Sequence, residues 1–227
     1  MIRGYFITGT DTEVGKTLVT TSLLNVYAGR GFSTIGMKPV AAGATHLSGQ
    51  PANEDVEAIL AASSVEADRK LVNPYFFLPS IAPHIAASDT KKLIDPKHIL
   101  DCYRQLASLA NVVVVEGVGG FRVPLCDGFD TADLVCEMKL PVVLVVGLRL
   151  GCINHALLTA EAIEARGIAC VGWIANQIDP HMAKPQENIA TLDKLLNAPR
   201  LAHIEHLTSP TPQLVASQLH LPAALIS

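Results

Sequence analysis

Little in this chain is aromatic. Six Phe, four Tyr and one Trp make up 5% of its 227 residues. A core of stacked rings is excluded, so aliphatic side chains must fill the interior. Clusters of basic residues are also missing. Lysine and arginine number 17 against 21 acids, for a net charge of −4. Nucleic-acid binding through a basic face is therefore disfavoured. The five cysteines, Cys102, Cys126, Cys136, Cys152 and Cys170, include no Cys-x-x-Cys pair. That excludes an ordinary zinc site or disulfide framework and points to buried thiols in a reducing compartment. The eight histidines show no metal-ligand spacing. No charged start leads into a long apolar core, so no signal peptide is expected. The longest apolar runs have the length of strands, not of membrane spans. The expected setting is the cytoplasm, with neither a membrane nor a nucleic acid as partner.

What is present is aliphatic: 49% of the residues are apolar. The length allows one domain, residues 1–227, with a sizeable core. Strands are expected at Tyr5–Thr8, Thr34–Pro39, Val112–Glu116, Val142–Gly147, Val171–Asn176 and Arg200–Ile204. Helical patterns cover Lys16–Arg30, Glu54–Ala62, Pro96–Leu109, Ile153–Arg166 and Pro185–Leu196. Their alternation predicts a three-layer α/β fold of the P-loop kind, a mainly parallel sheet with helices on both faces. Ligands would then bind at the C-terminal ends of the strands. Ala41–Pro51 and Asn73–Asp89 read as irregular loops near strand ends. The segment from Thr208 reads as a surface wrap with a short helix.

The segment Gly9-Thr10-Asp11-Thr12-Glu13-Val14-Gly15-Lys16-Thr17 joins the first strand to the first helix. Strand, glycine loop, Gly-Lys-Thr and helix together form a phosphate cradle. Backbone N–H groups and the helix dipole face the phosphates. Lys16 would reach the β- and γ-phosphates, and the Thr17 hydroxyl would contact Mg²⁺. Five residues separate Gly9 from Gly15, where the common pattern has four. The extra residue predicts that Gly9 or Thr10 takes the turn conformation.

Four more features sit at predicted element ends. Val112–Val115 runs into Glu116-Gly117-Val118-Gly119-Gly120. Glu116 is placed to help hold Mg²⁺; the other reading is a solvent-facing glutamate. Lys38 follows the second strand. It would either stabilise transferring phosphoryl charge or be a solvated strand-end lysine, and spacing leaves both open. Asp55 opens a helix, where it would cap the helix or add a metal contact. Gly151-Cys152-Ile153-Asn154-His155 starts a helix whose N-terminus could bind a carboxylate, with Asn154 as a candidate N-cap. A nucleophilic role for Cys152 lacks a base. His84, in Pro83-His84-Ile85, suits an orienting or structural role.

Together these residues resemble the dethiobiotin synthetase family. The resemblance lies in the P-loop with its extra residue, Lys38-Pro39-Val40, Asn73-Pro74-Tyr75 and Pro83-His84. It continues through Glu116–Gly120, Gly151–His155 and Gly172-Trp173-Ile174-Ala175-Asn176, in order over residues 4–176. It implies an ATP- and Mg²⁺-dependent homodimeric ligase of biotin biosynthesis. That enzyme would close a ureido ring on 7,8-diaminononanoate with CO₂ (or bicarbonate), through a carbamate and a carbamic-phosphoric anhydride. Lys16 and Lys38 would be catalytic. ATP would lie against Glu13, Val14, Gly15, Lys16, Thr17, Leu18, Asp55, Glu116, Gly117, Val118, Gly119 and Asn176, with Asn176 reading adenine. Thr17, Asp55 and Glu116 would hold the metal. The diamine or its carbamate would meet Thr12, Lys38 and Ala42. Its carboxylate would meet Gly151, Cys152 and Asn154 across the dimer interface.

Three positions depart from the family pattern. Ala42 stands where many relatives have Ser, Glu205 where Pro is usual, and Asn188 where some have Tyr. Two other P-loop readings compete. Cobyrinate diamide synthetases need a glutaminase domain that does not fit in 227 residues. Partition and cell-division ATPases carry an additional lysine early in the loop, and here Lys16 is the only lysine between Gly9 and Thr17.

Overall fold

The computed structural model describes residues 3–47 and 49–222. Ser48 in the first irregular segment and the chain beyond residue 222 lie outside them. Six strands form the central sheet: β1 (Arg3–Gly9), β2 (Thr34–Met37), β3 (Val112–Glu116), β4 (Val142–Gly147), β5 (Cys170–Asn176) and β6 (Arg200–Ile204). Their order is β6-β5-β4-β1-β3-β2, and every pairing is parallel. The helices are α1 (Lys16–Ala28), α2 (Glu54–Ala62), α3 (Arg69–Val72), α4 (Pro83–Asp89), α5 (Pro96–Leu109), α6 (Thr131–Met138), α7 (Cys152–Glu164), α8 (Pro185–Leu195) and α9 (Pro212–Ala216).

Side-chain alternation along each strand creates the layers. Tyr5, Ile7, Val112, Val114, Val143 and Val145 pack with α1 and α9 residues such as Leu23, Leu24 and Val215. The intervening Phe6, Val113, Val115 and Val142 point the other way, towards Ile99, Leu106 and Val135 of α5 and α6. Further along that face Leu144, Val146 and Trp173 meet Ala156, Ile189 and Leu192 of α7 and α8. β3 and β4 are buried throughout, as Val-rich central parallel strands must be.

The expected strands and helices are present, with shifted ends. β2 stops at Met37, before Lys38-Pro39, because proline offers no N–H to the ladder. α1 ends at Ala28, with Gly29 as its C-cap. The supposedly irregular segments contain structure. Val40–Ala42 pairs with Tyr75–Phe77, and Thr45–Leu47 pairs with Gln50–Ala52. α4 begins with Pro83 at its first turn, a position where proline suits a helix. α6 was not expected. It is started by a capping box in which Asp130 accepts from the Ala132 and Asp133 N–H groups and Asp133 accepts from Asp130.

β2 and α2 approach each other closely, and this placement sets Lys38 and Asp55 side by side. Gly36 makes the approach possible: a Cβ there would lie 2.4 Å from Ile59 Cγ2 and 3.1 Å from Leu24 Cδ1. Gly36→Ala should destabilise the fold by about 1–3 kcal/mol through overpacking. Urea denaturation checks this, and an unchanged midpoint would mean that α2 can move away freely.

Candidate active site

Strand register brings the charged groups together. Met37 pairs with Val115, so Lys38 and Glu116, one residue further on, lie side by side. The Lys38 Nζ donates to Glu116 Oε1 at 2.5 Å, Asp55 Oδ2 at 3.0 Å and the Gly117 carbonyl at 3.1 Å. Its main chain is pinned as well. The Lys38 N–H donates to the Val72 carbonyl at 2.9 Å, and Asn73 Nδ2 donates to the Lys38 carbonyl at 2.6 Å. At 3% exposure Lys38 is no solvated strand-end lysine. Burial opposes its charge, but Glu116 and Asp55 outweigh burial and hold its pKa above the usual lysine value.

Asp55 does not cap its helix. Asn53 is the N-cap, accepting from the Val56 N–H, while its amide donates to the Gly43 carbonyl at 2.9 Å. Asp55 is thereby free to face Lys38 and Thr17. Burial works against its charge, yet Lys38 and the Thr17 hydroxyl hold its carboxyl below the usual range. Thr17 Oγ1 lies 2.6 Å from Asp55 Oδ1 and 2.9 Å from Glu116 Oε1. One hydroxyl proton cannot serve both oxygens fully. Glu116 Oε2 is buried without a hydrogen-bond partner. Two carboxylates, a hydroxyl and an orphaned carboxylate oxygen form a hard oxygen set. Such a set fits Mg²⁺, which takes few protein ligands and leaves room for phosphates.

The P-loop closes the other side. Gly15 caps α1 with φ 91°, and a Cβ there would fall 2.2 Å from Asn176 Nδ2. Gly9 is packed so closely that a Cβ there would fall 2.5 Å from Val14 Cγ2, and left-handed backbone occurs in the loop at Gly15 and at Glu13, with φ 59°. A non-glycine residue there stores roughly 1 kcal/mol of strain. Asn176, from the end of β5, donates to the Val14 carbonyl at 2.8 Å and braces the loop from the neighbouring strand. Lys16 is buried, and its Nζ donates to the Asp11 carbonyl at 2.8 Å. Burial, helped by the nearby charge of Lys38, lowers its pKa to about 8.

A cleft of about 730 Å³ joins these groups. Thr12, Glu13, Gly15, Lys16, Thr17, Lys38, Ala42, Asp55, Glu116, Val118 and Gly119 all line it. Val14 is buried beneath the loop, Leu18 packs into the α1 core, and Gly117 contributes its carbonyl to Lys38. Ser80 and Thr45 also line the cleft. Sequence reading missed both, since neither belongs to a motif. Gly151, Cys152 and Asn154 are absent from this lining. Gly151, with φ 94°, is itself the N-cap of α7, so Asn154 is not. Cys152 is buried with its Sγ 3.9 Å from Asn188 Oδ1, and Asn154 is exposed. Asp11 of the loop and Arg149 beyond β4, roles also missed, form an ion pair.

A parallel sheet whose central strand runs through a glycine loop and Lys-Thr into a helix, with an acid on the adjacent strand, defines a P-loop nucleotide-binding protein. A family model described as an AAA domain matches residues 3–213. The fold is similar to that of a ParA family ATPase from Chlorobium tepidum, with TM-score 0.59 and 15% identity, over 100% of this chain and 98% of that one. At that identity the likeness concerns the fold alone. Over sequence, the chain is 51% identical to the ATP-dependent dethiobiotin synthetase BioD of Aromatoleum aromaticum, covering 97% of this chain and 98% of the relative. It is 48% identical to the BioD of a Janthinobacterium, covering 94% and 92%. The chain belongs to the ATP-dependent dethiobiotin synthetase family.

Lys16 gives the site a measurable signature. Between pH about 8 and the ordinary lysine pKa, the unfolded chain holds a proton that the folded chain has lost, so this group makes stability rise with pH there. Below pH 8 the folded protein bears the cost of a buried charge. Lys16→Met should therefore gain about 1–3 kcal/mol at pH 7 while losing nucleotide binding. Denaturation at pH 7 and nucleotide titration test the two halves; a destabilised variant would show that the buried charge is favourably paired.

Proposed function

We propose that this chain is a dethiobiotin synthase: with ATP and Mg²⁺ it closes 7,8-diaminononanoate and CO₂ into dethiobiotin, releasing ADP and phosphate. The reading takes residues 1–227 as one domain acting as a cytoplasmic homodimer. Among the described residues no helix is long and apolar enough to cross a membrane. The observation that carries the proposal is family membership over nearly the whole chain, with Lys16, Thr17, Lys38, Asp55 and Glu116 meeting in one cleft.

The chemistry has three steps. One amine attacks CO₂, loses a proton and becomes a carbamate. A carbamate oxygen then attacks the γ-phosphorus, and ADP leaves. The second amine attacks the carbonyl carbon of this mixed anhydride and loses a proton; the C–O bond to phosphate breaks, phosphate leaves, and the ring closes. Phosphorylation is needed because oxygen anions flank the carbamate carbon and make it a poor electrophile. Carbamate and triphosphate repel each other, and the ammonium groups of Lys16 and Lys38 would offset that repulsion. Magnesium, held by Thr17, Asp55 and Glu116, would neutralise further phosphate charge. Thr12 and Ala42 would border the diamine. Glu13–Leu18 and Gly117–Gly119 would border the nucleotide, with Asn176 at the base. Positioning of this kind supplies much of the rate in phosphoryl transfer.

The carboxylate end of the diamine is assigned to Gly151, Cys152 and Asn154 of a second protomer. The left-handed Gly151 that opens the α7 N-terminus supports a carboxylate site there.

The deciding experiment measures phosphate release from Mg-ATP with and without 7,8-diaminononanoate and bicarbonate, alongside mass detection of dethiobiotin. Release that needs both, with the ring product formed, is expected. Nucleotide binding with no substrate-dependent release would move the chain to another ligase or to an ATP-driven switch. Lys38→Ala should lower turnover at least a hundredfold, about 3 kcal/mol of barrier; turnover within threefold of wild type would remove Lys38 from the chemistry. Glu116→Gln should raise the Mg²⁺ needed for half-maximal activity by about tenfold. An unshifted magnesium titration would take Glu116 out of the metal set.

A further inference from the structure

Arg149 lies two residues past the end of β4 and belongs to none of the motifs above. Its main chain starts α7: the Arg149 carbonyl accepts the Cys152 N–H at 3.0 Å, just across the left-handed Gly151. Its guanidinium reaches in the opposite direction, to Asp11 Oδ2 in the P-loop. Asp11 passes the contact on in two ways. Its Oδ1 accepts the Thr12 N–H at 2.8 Å, and its carbonyl accepts the Lys16 Nζ at 2.8 Å.

One side chain therefore ties the turn that bears Gly151, Cys152 and Asn154 to the loop that bears Thr12 and Lys16. The pair adds little to stability. Arg149 and Asp11 are 41% and 46% exposed, and ion pairs in water rarely repay the ordering of two flexible side chains. Its importance lies in position: it links the α7 turn to the residue that accepts from the Thr12 N–H and the Lys16 Nζ.

We propose that Arg149 is a positioning residue that couples nucleotide binding at the P-loop to binding of the diamine carboxylate at the α7 turn. This rests on the functional reading above, in which that turn serves the partner's cleft. The coupling then runs between the two active sites of the dimer. By linkage, each ligand must tighten the other by the same factor.

The test is titration calorimetry in bicarbonate buffer. Mg²⁺ with a β,γ-methylene ATP analogue, and 7,8-diaminononanoate, are each titrated alone and then with the other saturating. In the wild type each ligand should tighten the other about fivefold or more. In Arg149→Met the mutual tightening should fall below twofold, with the thermal midpoint within a few degrees of wild type. Arg149→Lys, which keeps the charge, should restore most of the coupling. Asp11→Asn, which keeps the acceptor for Thr12, should behave like Arg149→Met. Wild-type tightening retained in Arg149→Met, or no tightening in the wild type, overturns the proposal. A wild type that binds the analogue but not the diamine overturns the functional reading itself, and the coupling falls with it.

Discussion

A buried ammonium ion must have negative oxygen within reach, and the site depends on that requirement at Lys38. Lys38 and Glu116 are both withdrawn from water, and neither charge is tolerable there alone. Together with Asp55 they form a compact group in which each compensates another's burial. Such a group contributes weakly to net stability, because desolvation consumes most of the attraction. It is exacting about position. β2 must lie in register beside β3, α2 must present its first turn to the strand ends, and Asn73 must hold the main chain beyond Lys38. The pattern of charges in the cleft follows from satisfying one lysine.

The parts of the fold that one stretch of chain encodes were legible. Four consecutive valines before Glu116 pointed to a central strand, and Gly15-Lys16-Thr17 after a strand pointed to a helix opening over a phosphate-sized loop. Short elements were harder. α4 was hidden because its three nearby prolines read as a loop, although Pro83 sits where a helix accepts one. α6 was announced by Asp130 and Asp133 three residues apart, a signal close to the usual capping box with aspartate in place of the longer acid.

The illegible parts of the site are those that depend on tertiary placement. Local rules assign Asp55 to helix capping; only the position of β2 shows that it faces Lys38, while Asn53 does the capping. The left-handed Glu13 of the P-loop carries no signal along the chain, since a loop held at both ends places its strain where closure demands it. Asp11 and Arg149 are 138 positions apart, and no pattern along the chain joins them. Likeness to a ParA family ATPase at 15% identity shows how much of the architecture is shared across different uses. The distinguishing information sits in the side chains at the strand ends.

The single tryptophan has a practical consequence for anyone studying this protein. Trp173 is fully buried between the sheet and the α7–α8 layer, and its indole Nε1 has no hydrogen-bond partner. It is not among the residues that line the nucleotide cleft. Intrinsic fluorescence is thus an optical gauge of whether that layer remains packed, and its apolar surroundings favour a blue-shifted native spectrum.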